Sequence, residues 1–132
     1  ILKDLEDGFG VFDSIGGCKF MGIVLSAEDW ASLISKLMGY EFTENDFRIT
    51  GERIFNLVKI YNLREGLTRA DDTLPDRLLN EPMPEGPAKG QTVNLDPLLD
   101  AYYEIRGWNN NGIPTKEKLK ELELDWAINI IY

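Results

Sequence analysis

Apolar residues recur along this chain at spacings of three and four, and no stretch alternates clearly with a period of two. That pattern predicts helices rather than strands, and an all-α fold class. Leu2, Leu5, Phe9 and Phe12 share one helical face. Gly8 and Gly10 fall inside that stretch and lower its helix propensity, predicting a short or frayed helix that gains order from a partner. Ser26-Ala27-Glu28-Asp29 reads as a helix start, a capping side chain followed by acids that suit the positive end of the helix dipole. The helix behind it carries Trp30, Leu33, Ile34 and Leu37 and stops at Gly39. Thr43-Glu44-Asn45-Asp46 repeats the signal ahead of the longest helix, roughly Glu44 to Leu63. Phe47, Ile54, Leu57, Val58 and Tyr61 form its expected buried stripe, with Arg48 and Glu52 on the polar side.

The run Arg64-Glu65-Gly66-Leu67-Thr68-Arg69-Ala70-Asp71-Asp72 is dense in charges of both signs. It reads either as a solvated loop or as a packed one, whose arginines satisfy carboxylates and carbonyls through their planar forks. Leu74 to Leu79 suits one or two helical turns, with Pro75 near the first position. Residues 82–90 hold three prolines and two glycines and read as a long ordered loop, too short to separate two cores. Asn94 is placed to cap a helix bearing Leu95, Leu98, Leu99, Tyr102 and Ile105, ending at Gly107. Asn109 to Gly112 makes a turn, and Pro114-Thr115 opens a last short helix with Leu119 and Leu122. The apolar tail, residues 125–132, is expected to pack, with missing parts of a longer chain as one partner. Residues 1–132 therefore read as a single, irregular helical domain.

Composition narrows the partners. A net charge of -9 disfavours nucleic acid and anionic membranes, both of which are held by Lys and Arg. No apolar run reaches the length of a membrane span, and no secretory leader opens the chain. One cysteine forms no internal disulfide, which fits a reducing, cytoplasmic setting. The absence of histidine removes the commonest general base and metal ligand, so a self-contained thiol enzyme is a poor reading. A chain opening on Ile1 rather than Met reads as a piece of something longer.

The candidate chemistry gathers at Asp13-Ser14-Ile15-Gly16-Gly17-Cys18. Paired glycines allow left-handed backbone and close approach to another group. A cysteine at a helix opening, beside Lys19, stands in a field that favours the thiolate, the nucleophilic and metal-binding form. Asp13 is an acceptor-only carboxylate suited to a ring that bears N–H groups. The alternative is a turn holding a buried, inert cysteine.

Ordered blocks then place the chain. Arg53-Ile54-Phe55-Asn56-Leu57, Asn62-Leu63-Arg64-Glu65-Gly66, Arg69-Ala70-Asp71-Asp72, Leu74-Pro75-Asp76-Arg77 and Gly86-Pro87-Ala88-Lys89-Gly90 occur in that order. Tyr102-Tyr103, Arg106-Gly107-Trp108 and Gly112-Ile113-Pro114-Thr115 follow. From Asp13 to Leu124 the chain resembles the C-terminal domain of the tungsten-dependent aldehyde ferredoxin oxidoreductase family. The resemblance implies a cytoplasmic parent enzyme, with one option a homodimer, in which preceding domains and this one enclose a tungsten (or molybdenum) bis-pterin and a [4Fe–4S] cluster. It implies oxidation of a small aldehyde to a carboxylic acid, with ferredoxin taking the electrons. Cys18 matches the family's fourth cluster ligand and Asp13 its pterin-binding aspartate, within an Asp-x-x-Gly-Leu-Cys motif that Ser14, Gly16 and Gly17 complete as cofactor-contacting positions. The three other cluster cysteines belong to a Cys-x-x-Cys-x-x-x-Cys run of the preceding domain, and no catalytic residue falls in this chain.

Gly17 stands where the family pattern has Leu, so a gap against the cofactor or a looser turn is expected. It leans towards a second reading, a cofactor-free helical binding or scaffold domain. Arg64, Glu65, Arg69, Asp71, Asp72 and Arg77 are expected to knit loop to helix, and Trp108 to serve packing.

Overall fold

The computed structural model describes all residues, 1–132, and is all-α, its only β feature an isolated bridge between Trp108 and Pro114. The helices are α1 (Leu2–Ser14), α2 (Lys19–Val24), α3 (Ala27–Met38), α4 (Glu44–Arg64), α5 (Asp76–Asn80), α6 (Leu95–Arg106), α7 (Lys116–Glu121) and α8 (Ile128–Ile131). No helix is long and apolar enough to cross a membrane.

The central rod is α4, with α1 and α3 packed on its N-terminal half and α7 and α8 on its C-terminal half. Its start is fixed as the sequence predicts: Thr43 accepts the Asp46 N–H, and the Asp46 carboxylate accepts the Thr43 N–H. Ser26 and Asp29 open α3 in the same reciprocal way, and Gly39 closes it in left-handed conformation. Asn94 precedes α6 but makes no side-chain cap bond.

Far from fraying, α1 is a full 13-residue helix, and its glycines explain why. Gly10 lies against Ile54, and Gly51 of α4 lies against the α1 backbone, so close that a Cβ on Gly51 would stand 2.3 Å from the Asp7 carbonyl oxygen. Burial against α4 overrides the weak local propensity. The buried face is Asp7, Val11 and Phe12, whereas Leu2 and Leu5 are exposed. Phe12 meets Trp30 at 4.8 Å and Phe47 at 5.7 Å between ring centroids, the centre of the first core.

The second core joins Ile60 to Leu119, Leu122, Leu124 and Ala127. Here the tail finds its partner within the chain: Ile128 and Ile131 pack on this core, and the Tyr132 hydroxyl donates to the Pro114 carbonyl. Two expected stripes are only partly buried. On α4, Val58 and Tyr61 are exposed while Gly51, Asn56, Lys59 and Ile60 are buried. On α6, Leu98 and Ile105 are exposed while Tyr103 and Arg106 are buried. Between these faces lies an open cavity of about 550 Å³, lined by Val58, Leu74, Leu95, Leu98 and Leu99 and walled by Lys59, Asp72 and Tyr103.

Candidate functional site

The C-terminal turn of α1 carries Asp13 and Ser14, and the chain then reverses into α2. Gly16 takes a positive φ of 69°, and the Gly17 N–H returns to the Phe12 carbonyl at 2.8 Å. This is a left-handed helix ending, in which a glycine lets the next N–H satisfy a carbonyl one turn back. Gly16 is accounted for by that backbone need and has open space around it. Gly17 points inward. A Cβ there would meet Trp30 Cη2 at 3.3 Å and the Phe12 carbonyl oxygen at 3.4 Å.

The other three predicted residues differ in their engagements. Asp13 is exposed and pairs with Lys19 Nζ at 3.4 Å; that ammonium also lies 5.4 Å from the centroid of Phe9. The Ser14 hydroxyl donates back to the Gly10 carbonyl at 2.8 Å, a bond within its own helix. Cys18 is a free, exposed cysteine at the N-cap of α2, so the alternative of a buried thiol is not the one the structure shows. Its carbonyl accepts from Met21 and Gly22, while the N–H groups of Cys18, Lys19 and Phe20 find no acceptor in the chain. One turn thus presents a thiol, a carboxylate and unpaired N–H groups, beside exposed Ile15, Phe20, Ile23 and Val24. Nowhere do three or more His, Cys, Asp or Glu side chains gather to hold a metal ion.

Sequence reasoning missed the buried charges Arg106 and Lys59. Arg106, fully buried at the end of α6, donates to Asp7, to Glu6 at 2.6 Å and to the Tyr102 hydroxyl at 2.9 Å. Burial alone would lower its pKa; the Asp7 and Glu6 carboxylates outweigh that and hold it higher still. Lys59, also buried, reaches Asp72 at 2.6 Å, and Asp72 accepts from the Tyr103 hydroxyl. Burial, then the Asp72 hydrogen bond, raises the Tyr103 pKa. Arg69 pairs with Asp100 at 2.8 Å and donates to the Asn110 carbonyl. The charged run is therefore a packed loop at Arg69 and Asp72, while Arg64 and Glu65 pair with each other in solvent. Trp108 is buried and donates to Asn56, as a packing residue should.

The fold and turn define a class: an all-α domain that carries one exposed thiol at a glycine turn. The family model described as aldehyde ferredoxin oxidoreductase, domains 2 and 3, matches residues 1–124, and this chain belongs to that family. It is 48% identical over 118 residues to a tungsten-containing aldehyde ferredoxin oxidoreductase of Pyrococcus furiosus, covering 89% of this chain and 20% of that one. Identity to the enzyme of the same name from Thermococcus kodakarensis is 42% over 118 residues, with the same coverage of 89% and 20%. A more distant relative, the WOR-like subunit of an aliphatic sulfonate oxidoreductase of Pyrococcus furiosus, is 37% identical over 100 residues, 69% of this chain and 16% of that one. Among solved structures, the active site complex BamBC of benzoyl coenzyme A reductase superposes with a TM-score of 0.79 at 25% identity, covering 98% of this chain and 19% of that one. The chain spans about a fifth of the length of the aldehyde ferredoxin oxidoreductases it matches.

Proposed function

We propose that this chain is the part of a tungsten (or molybdenum) bis-pterin aldehyde:ferredoxin oxidoreductase that closes over the cofactors. In this reading Cys18 supplies one thiolate to a [4Fe–4S] cluster, and the Asp13 carboxylate accepts from pterin N–H groups. The observation that carries it is the exposed Cys18 thiol at a turn with unpaired N–H groups, in a chain 48% identical to a tungsten-containing enzyme.

The donor chemistry fits the groups. A [4Fe–4S] cluster takes thiolate ligands, and N–H groups directed at its sulfurs tune its potential. The N–H groups of Cys18, Lys19 and Phe20 are free for that role. One thiol and no other metal-gathering cluster in the chain leaves three ligands to the preceding domains, in keeping with the family pattern. Asp13 is held only by an exposed lysine, a partner that a pterin ring displaces at small cost. Ile15, Phe20, Ile23 and Val24 would be covered by those domains, excluding water around the thiolate.

When bound, the metal–pterin group would supply a two-electron acceptor for the oxidation of an aldehyde to a carboxylic acid, and the cluster a relay towards ferredoxin. The residues here bind and orient. Phe12 and Gly16 set the turn, Cys18 anchors the cluster edge, and Asp13 fixes the pterin. Gly17 gives no support to a cofactor-free scaffold, because the missing side chain is lost from contact with Trp30.

The test is iron and tungsten content, with the EPR signal of the reduced cluster, on anaerobically purified full-length protein and its Cys18→Ser variant. About four irons per chain, with the cluster lost or degraded in the variant, is the expected result. A metal-free protein, or an unchanged cluster in the variant, overturns the reading.

A further inference from the structure

We propose that Arg106 is a positioning residue for the Asp13–Cys18 turn, acting through α1; this rests on the cofactor reading of that turn. The contact between α1 and α4 is made where Gly51 meets the Asp7 backbone. A glycine contact lets two helices approach closely but adds no side-chain ridge at that level; α1 packs through side chains one turn further on, where Val11 and Phe12 meet Phe47. A second hold, at the level of Asp7, comes from α6. The Arg106 guanidinium spans two successive α1 carboxylates, Nη1 on Asp7 and Nη2 on Glu6, with Nε on the Tyr102 hydroxyl.

Successive helical residues point about 100° apart, so a rigid fork gripping both fixes the roll of α1 as well as its height. The fork is itself held. Its guanidinium carbon lies 4.3 Å from the centroid of Phe55, and the Tyr102 hydroxyl donates on to Glu6. Lys3 also touches Asp7, but from the same helix, and its link to Glu52 on α4 is a single point at 3.5 Å. Asp13 lies six residues beyond Asp7, about 9 Å along the same axis, so the clamp at Asp7 and the packed Phe12 together set the roll that the turn inherits.

The experiment compares Arg106→Lys, Tyr102→Phe and Cys18→Ser in the full-length, metal-loaded protein. It records the cluster's EPR g values, its midpoint potential and amide exchange across α1. Lysine keeps the charge but grips one point. The expected result is a retained cluster with shifted g values and potential, and exchange in α1 faster by about tenfold or more. Tyr102→Phe leaves both ion pairs and should move the same quantities less, in the same direction. It decides alone where Arg106→Lys does not accumulate folded protein. An EPR signal and potential unmoved in the accessible variants, even with faster exchange, reduce Arg106 to a stability role and overturn the proposal. If Cys18→Ser loses the cluster signal in that case, the ligand assignment stands without Arg106. An unchanged signal in Cys18→Ser overturns the assignment and this inference with it.

Discussion

The ring of Phe12 occupies the space that a side chain on residue 22 would need: a Cβ on Gly22 would stand 2.5 Å from Phe12 Cε2. The Phe12 carbonyl also accepts the Gly17 N–H. One residue of α1 therefore holds the turn at its middle and seats α2 beyond it. Gly22→Ala should unseat α2 at a cost of about 1–3 kcal/mol, the range for overpacking. The denaturation midpoint should fall accordingly. An unchanged midpoint would show that α2 is not seated on Phe12.

Gly10 and Gly51 lie on facing helices, yet alanine should act oppositely at the two. A Cβ on Gly51 meets backbone of α1, which cannot rotate away, so Gly51→Ala should cost about 3 kcal/mol or prevent folding. A Cβ on Gly10 meets the Ile54 side chain at 3.3 Å, which yields by a small rotation. Alanine also favours a helix over glycine by about 1 kcal/mol, so Gly10→Ala should be neutral or stabilising. Thermal unfolding of the two variants side by side reads the contrast. Equal destabilisation would refute the close α1–α4 contact.

Tyr102 and Tyr103 both have raised pKa values, first through burial and then through the carboxylates of Glu6 and Asp72. The fold therefore favours the protonated phenols. That contribution is complete below the unfolded value near 10, and it is lost as pH rises from there through the folded values. Stability should fall above about pH 10. Phenolate absorbance should show these two tyrosines ionising only as the protein unfolds. In Tyr103→Phe the alkaline slope should be shallower, with about 1 kcal/mol lost at neutral pH where Asp72 keeps Lys59 alone. An unaltered slope would remove Tyr103 from the account.

What the sequence discloses here is mostly local. Ser26 and Thr43 cap as read, because a cap bond closes within three residues, although Asn94, read the same way, makes none; Gly39 and Gly107 stop helices for an equally local reason. The helical rods and the Asp13–Cys18 turn follow from the same short-range signals. The faces those rods bury do not. On α4 the buried line runs through Gly51, Asn56 and Lys59, none of which scores as apolar. Asn56 is hidden because it donates to the Glu52 carbonyl and accepts from Trp108, a partner 52 residues away. The Arg106–Asp7 pair spans 99 residues, and either charge alone reads as a solvated helix position. Such pairings are non-local and leave no periodic trace. Conversely, Leu98 and Val58 look like core by spacing but line an open cavity.

Gly17 gives the last expectation. With Leu in the family pattern, a glycine at this position predicts a gap at the cofactor or a looser turn. The turn is instead closed by the Gly17 N–H bond to Phe12, and position 17 faces Trp30, whose indole nitrogen is buried without a hydrogen-bond partner. A leucine would therefore enter the aromatic core. The Cβ contact of 3.3 Å to Trp30 is tight, so the indole must move by a few tenths of an ångström. Gly17→Leu should alter the emission of Trp30, against a background from Trp108 and Trp126 that stays constant. On the proposed cofactor reading, iron content and the EPR signal of the cluster should be retained, since position 17 faces Trp30. A changed cluster with unchanged emission would mean that residue 17 faces the cofactor after all.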